Sequence, residues 1–553
     1  MTLVNSGSRV NARMKNVAIN RLGIFVLFGI ILVLNIASIR HKTLTYDEGG
    51  HFRYGLQMLE GNSDRSEKFS DSKMPFSALN AFPGKIGQWL GPFIHSKGIA
   101  DFLADIKTGR YVTILFSLLL AFYIYRWAKD LYGPAGGLFS LFLYTFAPNI
   151  IAHSRLVTTD LYAACMITIA TYYFWKLNKS GSWKAAGVSA VTLGLSQLAK
   201  YTSIYLYPIF GLIFTVRSCQ RRFRPNIGSF LRFFLFFIVV SVIIINVGFL
   251  FNRPLTSLEG YQFKSDLFKT IQSKAGILKK IPLFLPYPFI DGLDWVRFNE
   301  RTGKSLSGGI YLLGELIKPG KNFRGFKGYY LIAFLFKVPI AVQILIFIAA
   351  VRYALNRRRF NFFEDEIFLL VPVLFFFFYF NFFYRFQIGI RHILVLFPFL
   401  YIFCGSLLKS RTQPRFGLKG AILFLSVYLV GSVLSYFPHY ISYFNELVWD
   451  RKQAHRILAS SNIDWGQNRW YLGQYLKRYP DAIVRPEKPV AGRIILEVNS
   501  LVRYYPKRYE WLRKNFEPVD HVAYSYLVYQ VSPADLARIT AVSGTESPMR
   551  EGD

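Results

Sequence analysis

The apolar run LGIFVLFGIILVLNIASI at residues 22–39 is followed almost directly by TLTYDEGGHF at residues 43–52. A helix needs roughly 20 apolar residues to cross about 30 Å of hydrocarbon. The first stretch therefore predicts a membrane span, and it places Asp47 and Glu48 where that span meets water. Two carboxylates at such a boundary are positioned to act on a molecule that is held in the bilayer.

Several positive charges precede this span, as they do in a signal peptide: Arg9, Arg13, Lys15 and Arg21. No small-residue cleavage site follows the apolar run, so we expect an uncleaved anchor.

The composition predicts a membrane protein with many spans. Of 553 residues, 52% are hydrophobic and 18% aromatic, which is too apolar for a soluble multidomain protein. The formal net charge of +34 would suggest nucleic acid in a soluble protein, but here Lys and Arg cluster between apolar runs, which is a topology signal instead. The cysteines Cys165, Cys219 and Cys404 lie in or beside apolar segments, which argues against disulfides and cysteine-rich metal sites.

About eleven segments are apolar enough to span the membrane. They centre near residues 31, 119, 143, 168, 192, 209, 239, 342, 373, 400 and 427. Basic clusters such as Arg126 and Lys129, or Arg352 with Arg357–Arg359, fall in alternate gaps on the side of the N-terminus. The positive-inside rule places the N-terminus in the cytosol, and an odd number of spans places the C-terminus outside.

Three hydrophilic blocks are then external, at residues 40–108, 252–330 and 438–553. In the first, Phe52–Leu59 and Phe76–Leu90 are amphipathic and predict helices in the interface plane. The last contains a predicted helix, Gln467–Arg478, and two predicted strands, Arg493–Val498 and His521–Val531. We therefore expect a cytosolic tail (1–21), an all-α polytopic membrane domain (22–437), a small external α/β domain (438–542) and a disordered tail (543–553).

Asp47 and Glu48 are adjacent, so on a helix their side chains diverge and cannot form a facing acid/base pair. Asp160, at the external start of the fourth predicted span, is the best candidate for a second carboxylate. The alternative is that these are ordinary acids at helix N-termini, where the helix dipole favours them.

Four cations complete a candidate site. Lys73 shares the first external block with Asp47, and Pro75 biases Met74 toward an extended conformation that projects Lys73 outward. Three others interrupt apolar runs near their external ends, namely Lys200, Lys337 and Arg391. Such cations mark a buried anion, or else they snorkel to the surface. Together with the acids they describe a pocket for a phosphate beside a reacting hydroxyl.

A metal site has little support from the sequence. The external histidines, His51, His153, His392 and His439, show no ligand spacing. No Walker loop or dinucleotide fingerprint is present, so a soluble nucleotide-sugar site is not indicated.

Several short motifs, taken in their order along the chain, resemble those of a known protein family. They are Tyr46-Asp-Glu48, Lys73-Met-Pro-Phe76, Ser154-Arg-Leu-Val-Thr-Thr-Asp160, Leu198-Ala-Lys-Tyr-Thr202, Tyr311-Leu-Leu-Gly-Glu315, Lys337-Val-Pro339, Gly389-Ile-Arg-His392 and Ser461-Asn-Ile-Asp-Trp-Gly-Gln467. With them, nearly the whole chain resembles integral-membrane glycosyltransferases of the GT-C fold. The branch is family 39, related to protein O-mannosyltransferases and aminoarabinose transferases.

The resemblance implies a sugar donor on a polyprenyl phosphate, an external active site and an inverting transfer. It implies that Asp47 is the general base, Asp160 a second acidic residue and Lys73 a phosphate contact. Met74 replaces the first proline of the family's Lys-Pro-Pro element, and Ser72 replaces an acidic residue that helps some relatives hold a metal. A divalent metal ion therefore stays an open question.

On this interpretation Lys73, Lys200, Lys337 and Arg391 neutralise the donor phosphate, and Glu48 tunes or orients Asp47. The acceptor is a glycan, lipid or protein, and the motif details favour a bacterial inner membrane. Ser461–Gln467 predicts either acceptor recognition or a helix-start turn capped by Asp464. The main alternative function is that of a transporter or flippase for a lipid-linked or anionic solute. A second alternative is that of a non-catalytic assembly scaffold. A transporter would place ionisable groups near the bilayer midplane, whereas these acids lie at external helix ends.

Overall fold

The structure, a computed structural model, describes residues 4–65, 73–91, 93, 96–220, 227–409 and 416–545. The chain is mostly helical, and its α-helices are α1 Val4–Ile39, α2 Glu48–Leu59, α3 Ser77–Leu90, α4 Lys97–Ala104, α5 Ile106–Tyr132, α6 Pro134–Thr145, α7 Pro148–His153, α8 Asp160–Ser180, α9 Trp183–Gln197, α10 Leu206–Ser218, α11 Ile227–Gly248, α12 Asp266–Lys274, α13 Tyr287–Thr302, α14 Tyr329–Lys337, α15 Ile340–Leu355, α16 Ile367–Phe382, α17 Phe397–Cys404, α18 Phe416–Leu434, α19 Arg469–Arg478, α20 Glu510–Asn515 and α21 Pro533–Thr545. Its strands are β1 Ile310–Leu312, β2 Glu315–Ile317, β3 Ile483–Val484, β4 Gly492–Glu497, β5 Asp520–Val522 and β6 Tyr526–Val531.

All eleven predicted span centres lie within these α-helices. Among the described residues, five segments are long and apolar enough to cross a membrane, namely Asn20–Ile39, Ile106–Tyr132, Leu231–Gly248, Ile390–Leu408 and Gly417–Leu434. A sixth span results if α14 and α15, which meet at 110°, are counted as one broken span. The chain is therefore an integral membrane protein, while the count of eleven stays a prediction.

Large apolar side chains on the outer helices face away from the protein. Phe25 on α1, Phe378 on α16 and Phe424 on α18 are each more than half exposed. Helix α8 has no such face, because most of its residues are buried; the ring of its Tyr172 packs edge-on against Trp127 of α5. This contrast fits a helical bundle whose outer surface contacts hydrocarbon.

Helices α2 and α3 form a tightly packed pair beside α5. A Cβ atom at Gly55 would lie only 2.2 Å from the backbone oxygen of Ser77, so the two helices touch where Gly55 has no side chain. Both predicted amphipathic helices of the first block are confirmed, although α2 begins at Glu48, four residues earlier than predicted. Asp47 immediately precedes α2, and Lys73 lies four residues before α3.

The C-terminal segment contains a four-stranded sheet with the order β3-β4-β6-β5. Strand β4 pairs in parallel with β3 and antiparallel with β6, and β5 pairs antiparallel with β6. The single predicted strand over His521–Val531 is wrong, because the chain reverses at Ala523 and Tyr524, which adopt φ of 51° and 62°. Helix α19 packs on this sheet, and its N-cap is Asn468, not Asp464.

The ends of the chain differ from the predicted tails. Helix α1 already begins at Val4, inside the predicted tail of residues 1–21, of which residues 1–3 lie outside the described part. Residues 543–545 of the predicted disordered tail belong to α21, and residues 546–553 also lie outside the described part.

Candidate active site

A cavity of about 700 Å³ lies where the helices meet the C-terminal segment. Its walls differ in chemistry. One is rich in charged groups, a second is apolar and aromatic, and a third consists of charged, polar and aromatic residues of the C-terminal segment. The principal members of the charged wall are Asp47, His51, Lys73, Asp160, Lys200, Arg391 and His392. Those of the aromatic wall are Tyr205, Leu293, Val296, Phe380, Tyr384, Phe386 and Ile388. Those of the C-terminal wall are Ser461, Asp464, Trp465, Arg485, Glu497, Asn499 and Arg503.

Asp47 is held at the N-terminal end of α2. Its backbone carbonyl accepts hydrogen bonds from the amides of Gly50 and His51, each at 3.2 Å, which fixes the first turn of the helix. Its side chain remains 37% exposed, and because Asp47 lines the cavity, that surface is available to a ligand.

Arg391 links the two aspartates of the charged wall. Its Nη1 lies 2.9 Å from Oδ2 of Asp47 and 3.7 Å from Oδ2 of Asp160. Asp160, the first residue of α8, also accepts a 2.6 Å hydrogen bond from Nζ of Lys200. The guanidinium of Arg391 lies 4.0 Å from the ring centre of Trp465, and its buried Nε has no hydrogen-bond partner among the described residues. Four groups predicted for the site are thus brought into one chain of ion pairs.

Lys73 lies on the same wall and packs against α2. A Cβ atom at Gly50 would lie 3.0 Å from Cε and 3.4 Å from Nζ of Lys73, so the glycine leaves room for the lysine. Lys73 lines the cavity, so its ammonium can meet an anion bound there.

These cations set the protonation of the site. Burial raises the pKa of Asp47, but the charges of Arg391 and Lys73 outweigh it and hold that pKa below its ordinary value. Burial, and then the charge of Lys73, holds the pKa of His51 well below its ordinary value. Near neutral pH Asp47 is therefore an anion and His51 is uncharged.

Glu48, the third acid predicted for the site, points away from the cavity. It is fully buried, and its two oxygens accept hydrogen bonds from Nε and Nη2 of Arg110 at 2.8 and 2.7 Å. It also accepts from the amides of Thr45 and Val157 at 2.7 and 3.1 Å. Glu48 thereby joins the start of α2 to α5 and to the loop before α8.

Lys337 lies at the end of α14 and does not line the cavity. It is 1% exposed, and its ammonium donates hydrogen bonds to the backbone oxygens of Ile441, at 2.8 Å, and Asn462. Its partners are neutral carbonyls, so the contact with a donor phosphate that was predicted for Lys337 does not fit this position.

The described residues that line the cavity offer no ligand set for a divalent cation. Within the described residues no group of three or more His, Cys, Asp or Glu side chains is placed to hold a metal ion. The two carboxylates of the charged wall, Asp47 and Asp160, are already paired with Arg391 and Lys200. Ser72, where some relatives have an acidic residue, lies outside the described residues.

The sequence did not indicate the role of several residues of the cavity. Tyr384 and Phe386 are two of many aromatic residues in an apolar region, and nothing in their spacing separates them from lipid-facing neighbours. Trp465 lies in the Ser461–Gln467 stretch, and that motif was the one available signal for it.

The helices and the cavity define the class of protein: an integral membrane protein with charged groups beside an aromatic wall. The family model described as "Dolichyl-phosphate-mannose-protein mannosyltransferase" matches residues 92–245, which include Asp160 and Lys200. Over that segment the match confirms the predicted resemblance to GT-C membrane glycosyltransferases.

The chain is similar to several solved structures, whereas a comparison with curated proteins finds no match. ArnT from Cupriavidus metallidurans bound to undecaprenyl phosphate aligns with a TM-score of 0.46 and 12% identity, over 92% of this chain and 97% of that chain. The oligosaccharyltransferase of Archaeoglobus fulgidus in the apo form aligns with a TM-score of 0.45 and 12% identity, over 83% of this chain and 58% of that chain.

Proposed function

We propose that this protein is a membrane glycosyltransferase that moves a sugar from a polyprenyl-phosphate donor to a hydroxyl or amine of an acceptor. The observation that carries the proposal is the charged wall, where Asp47, Asp160 and three cations share one cavity with an aromatic wall. The description of the matching family names dolichyl-phosphate mannose, a sugar on a polyprenyl phosphate, and this supports the donor class.

The two walls match the two halves of such a donor. The prenyl chain lies along Tyr384, Phe386 and their apolar neighbours, and the phosphate meets Lys73, Lys200 and Arg391. Three cations and two carboxylates leave the charged wall with one net positive charge, which offsets the single negative charge of a sugar phosphodiester. The same cations stabilise the charge that grows on the phosphate as the sugar departs.

In the transfer step Asp47 acts as the general base. Its carboxylate takes the proton of the acceptor O–H or N–H, and the acceptor atom forms a bond to the anomeric carbon. The bond between that carbon and the phosphate oxygen breaks, and its electron pair leaves with the polyprenyl phosphate. Attack opposite to the leaving group inverts the anomeric centre, and Asp160 helps to position the acceptor. Because a phosphate leaving group needs no proton near neutral pH, one base suffices.

The arrangement in the membrane follows from the basic clusters. We place the N-terminus in the cytosol and the cavity with the C-terminal segment outside, in the bacterial inner membrane. In this proposal residues 22–437 form the membrane domain and residues 438–542 form an external α/β domain that closes the cavity.

The test is a comparison of lipid-linked sugars and cell-envelope glycans in cells with and without the protein, followed by the variant Asp47→Asn. We expect Asp47→Asn to insert normally but to lower sugar transfer by roughly 10²- to 10⁴-fold, with the donor lipid accumulating, because a general base contributes about this much. Asp101→Asn makes the same substitution at an exposed acid of the same block and should transfer normally. Full transfer by Asp47→Asn would refute the base, and identical lipids and glycans with and without the protein would refute the function.

A further inference from the structure

The loop that carries Asp47 is held by the C-terminal segment. The amide of Thr43 donates to the carbonyl of Gln467, and the amide of Tyr46 donates to the carbonyl of Trp465, both at 3.1 Å. The hydroxyl of Thr43 donates to the carbonyl of Gly466 at 2.6 Å. Residues 43–46 therefore lie along residues 465–467 with three hydrogen bonds, immediately before the proposed base.

Gly466 allows the two segments to approach closely. Its φ is +88°, a conformation that favours glycine, and a Cβ atom there would lie 3.2 Å from the ring of Tyr46. The ring thus packs over the bare backbone of Gly466. The hydroxyl of Tyr46 continues past it and donates to Oε1 of Glu497 at 3.2 Å.

Glu497 belongs to a buried carboxyl pair. It is 3% exposed and Asp464 is 1% exposed. Glu497 forms an ion pair with Arg485 and accepts from the hydroxyl of Ser500 at 3.2 Å, whereas Asp464 accepts from the amide of Gly466 at 3.2 Å. Burial, and then the neighbouring carboxyl of Glu497, raises the pKa of Asp464 well above its ordinary value.

These contacts favour a third role for the Ser461–Gln467 stretch, besides those that its sequence suggested. Asp464 does not cap α19, which begins five residues later. The oxygens of Asp464 and Glu497 are already bonded to protein groups, so neither presents a free carboxylate to an acceptor.

We propose that Tyr46, Gly466, Asp464 and Glu497 form a latch that positions Asp47 for proton transfer. They are positioning residues, because they act on the base through the backbone of residues 43–46 and not on the substrate. For its kinetic effect the latch rests on the proposed function. A base displaced by about 1 Å can lose roughly 100-fold in rate, so holding this loop matters to the transfer step.

The first test needs no sugar transfer. Hydrogen exchange of the peptide covering residues 40–52 is compared between the intact protein and Tyr46→Phe, which keeps the ring on Gly466 but removes the bond to Glu497. We expect exchange at Thr43 and Tyr46 to become roughly 3- to 10-fold faster, as the loss of one hydrogen bond predicts. The control Tyr475→Phe changes a half-buried tyrosine on α19 and should leave this peptide unchanged. Unchanged exchange in Tyr46→Phe would refute the latch.

The second test separates positioning from donor binding. We expect Tyr46→Phe to lower kcat roughly 10- to 100-fold, with the KM of the donor lipid unchanged within about twofold, because the phosphate cations are untouched. Asp464→Asn should retain kcat within about threefold, since its side-chain oxygen can still accept from the amide of Gly466, whereas Asp464→Ala lacks this acceptor and should fall as Tyr46→Phe does.

A rise in KM at constant kcat, or equal losses in Asp464→Asn and Asp464→Ala, would refute the latch. If Asp464→Ala does not fold, Tyr46→Phe and Asp464→Asn still decide the question. Failure of the intact protein to transfer sugar would refute the proposed function, and the hydrogen-exchange result would then judge the latch alone.

Discussion

The variant Glu48→Gln tests whether the adjacent acids Asp47 and Glu48 have different roles. Glu48 and Arg110 are both buried, and the carboxylate accepts four hydrogen bonds, two from Arg110 and two from backbone amides. Glu48→Gln removes the negative charge, leaves the guanidinium unpaired and turns one acceptor into a donor that faces other donors. Breaking a buried ion pair in this way costs about 3 to 5 kcal/mol of the free energy of unfolding.

Removing Arg110 as well should lower the loss of stability that Glu48→Gln causes. In Glu48→Gln/Arg110→Met no charge remains buried, so we expect the double variant to recover about 2 kcal/mol relative to Glu48→Gln alone. Glu60→Gln changes an exposed acid just after α2 and should be neutral, within about 0.5 kcal/mol.

The assay is unfolding followed by a thiol-reactive dye, because Cys165 and Cys404 are buried and react only when the bundle opens. The exposed Cys219 is blocked beforehand. Sugar transfer is measured in parallel. Asp47→Asn should lose transfer at a smaller cost in stability than Glu48→Gln, because Asp47 is partly exposed and Arg391 still faces Asp160. A Glu48→Gln protein with unchanged stability and no transfer would refute this division and make Glu48 a catalytic group.

Two further predictions follow from the charged groups. Lys337→Met should lower the free energy of unfolding by about 2 to 4 kcal/mol, because two buried carbonyls lose their donor, and should leave the KM of the donor lipid unchanged; an increased KM at unchanged stability would contradict this. Because Arg391 and Lys73 hold the pKa of Asp47 below 3.8, kcat/KM should show no acid limb from Asp47 above about pH 5, and Lys73→Gln should move that limb to higher pH. In the same sense, the stability that Asp47 contributes is present above its unfolded pKa and is lost as the pH falls through its lower folded pKa. A profile that Lys73→Gln does not shift would count against this pairing.

The sequence predicts the helices well because apolar length and amphipathic periodicity are local properties. The pairing of charges is not local, since Arg391 and Asp47 lie 344 residues apart. Cations that interrupt apolar runs predicted a buried partner for both Arg391 and Lys337, but that pattern does not say which partner. Arg391 meets two carboxylates, and Lys337 meets two carbonyls.

The C-terminal segment shows a second limit. Alternation of apolar residues marked His521–Val531 as strand, yet the reversal at Ala523 and Tyr524 uses no glycine or proline that would have signalled it. Likewise, the contact between Tyr46 and Glu497 joins residues 451 positions apart, and neither residue alone suggests it.

The close contact between Gly55 and Ser77 also limits how the site can move. Helix α2 begins just after Asp47 and α3 follows shortly after Lys73, so this backbone contact holds the two helices close together. The contact therefore limits how far the two helices, and the segments that carry Asp47 and Lys73, can move apart. A side chain at position 55 would push the two helices apart, and would change the separation between Asp47 and Lys73 without touching either charged group.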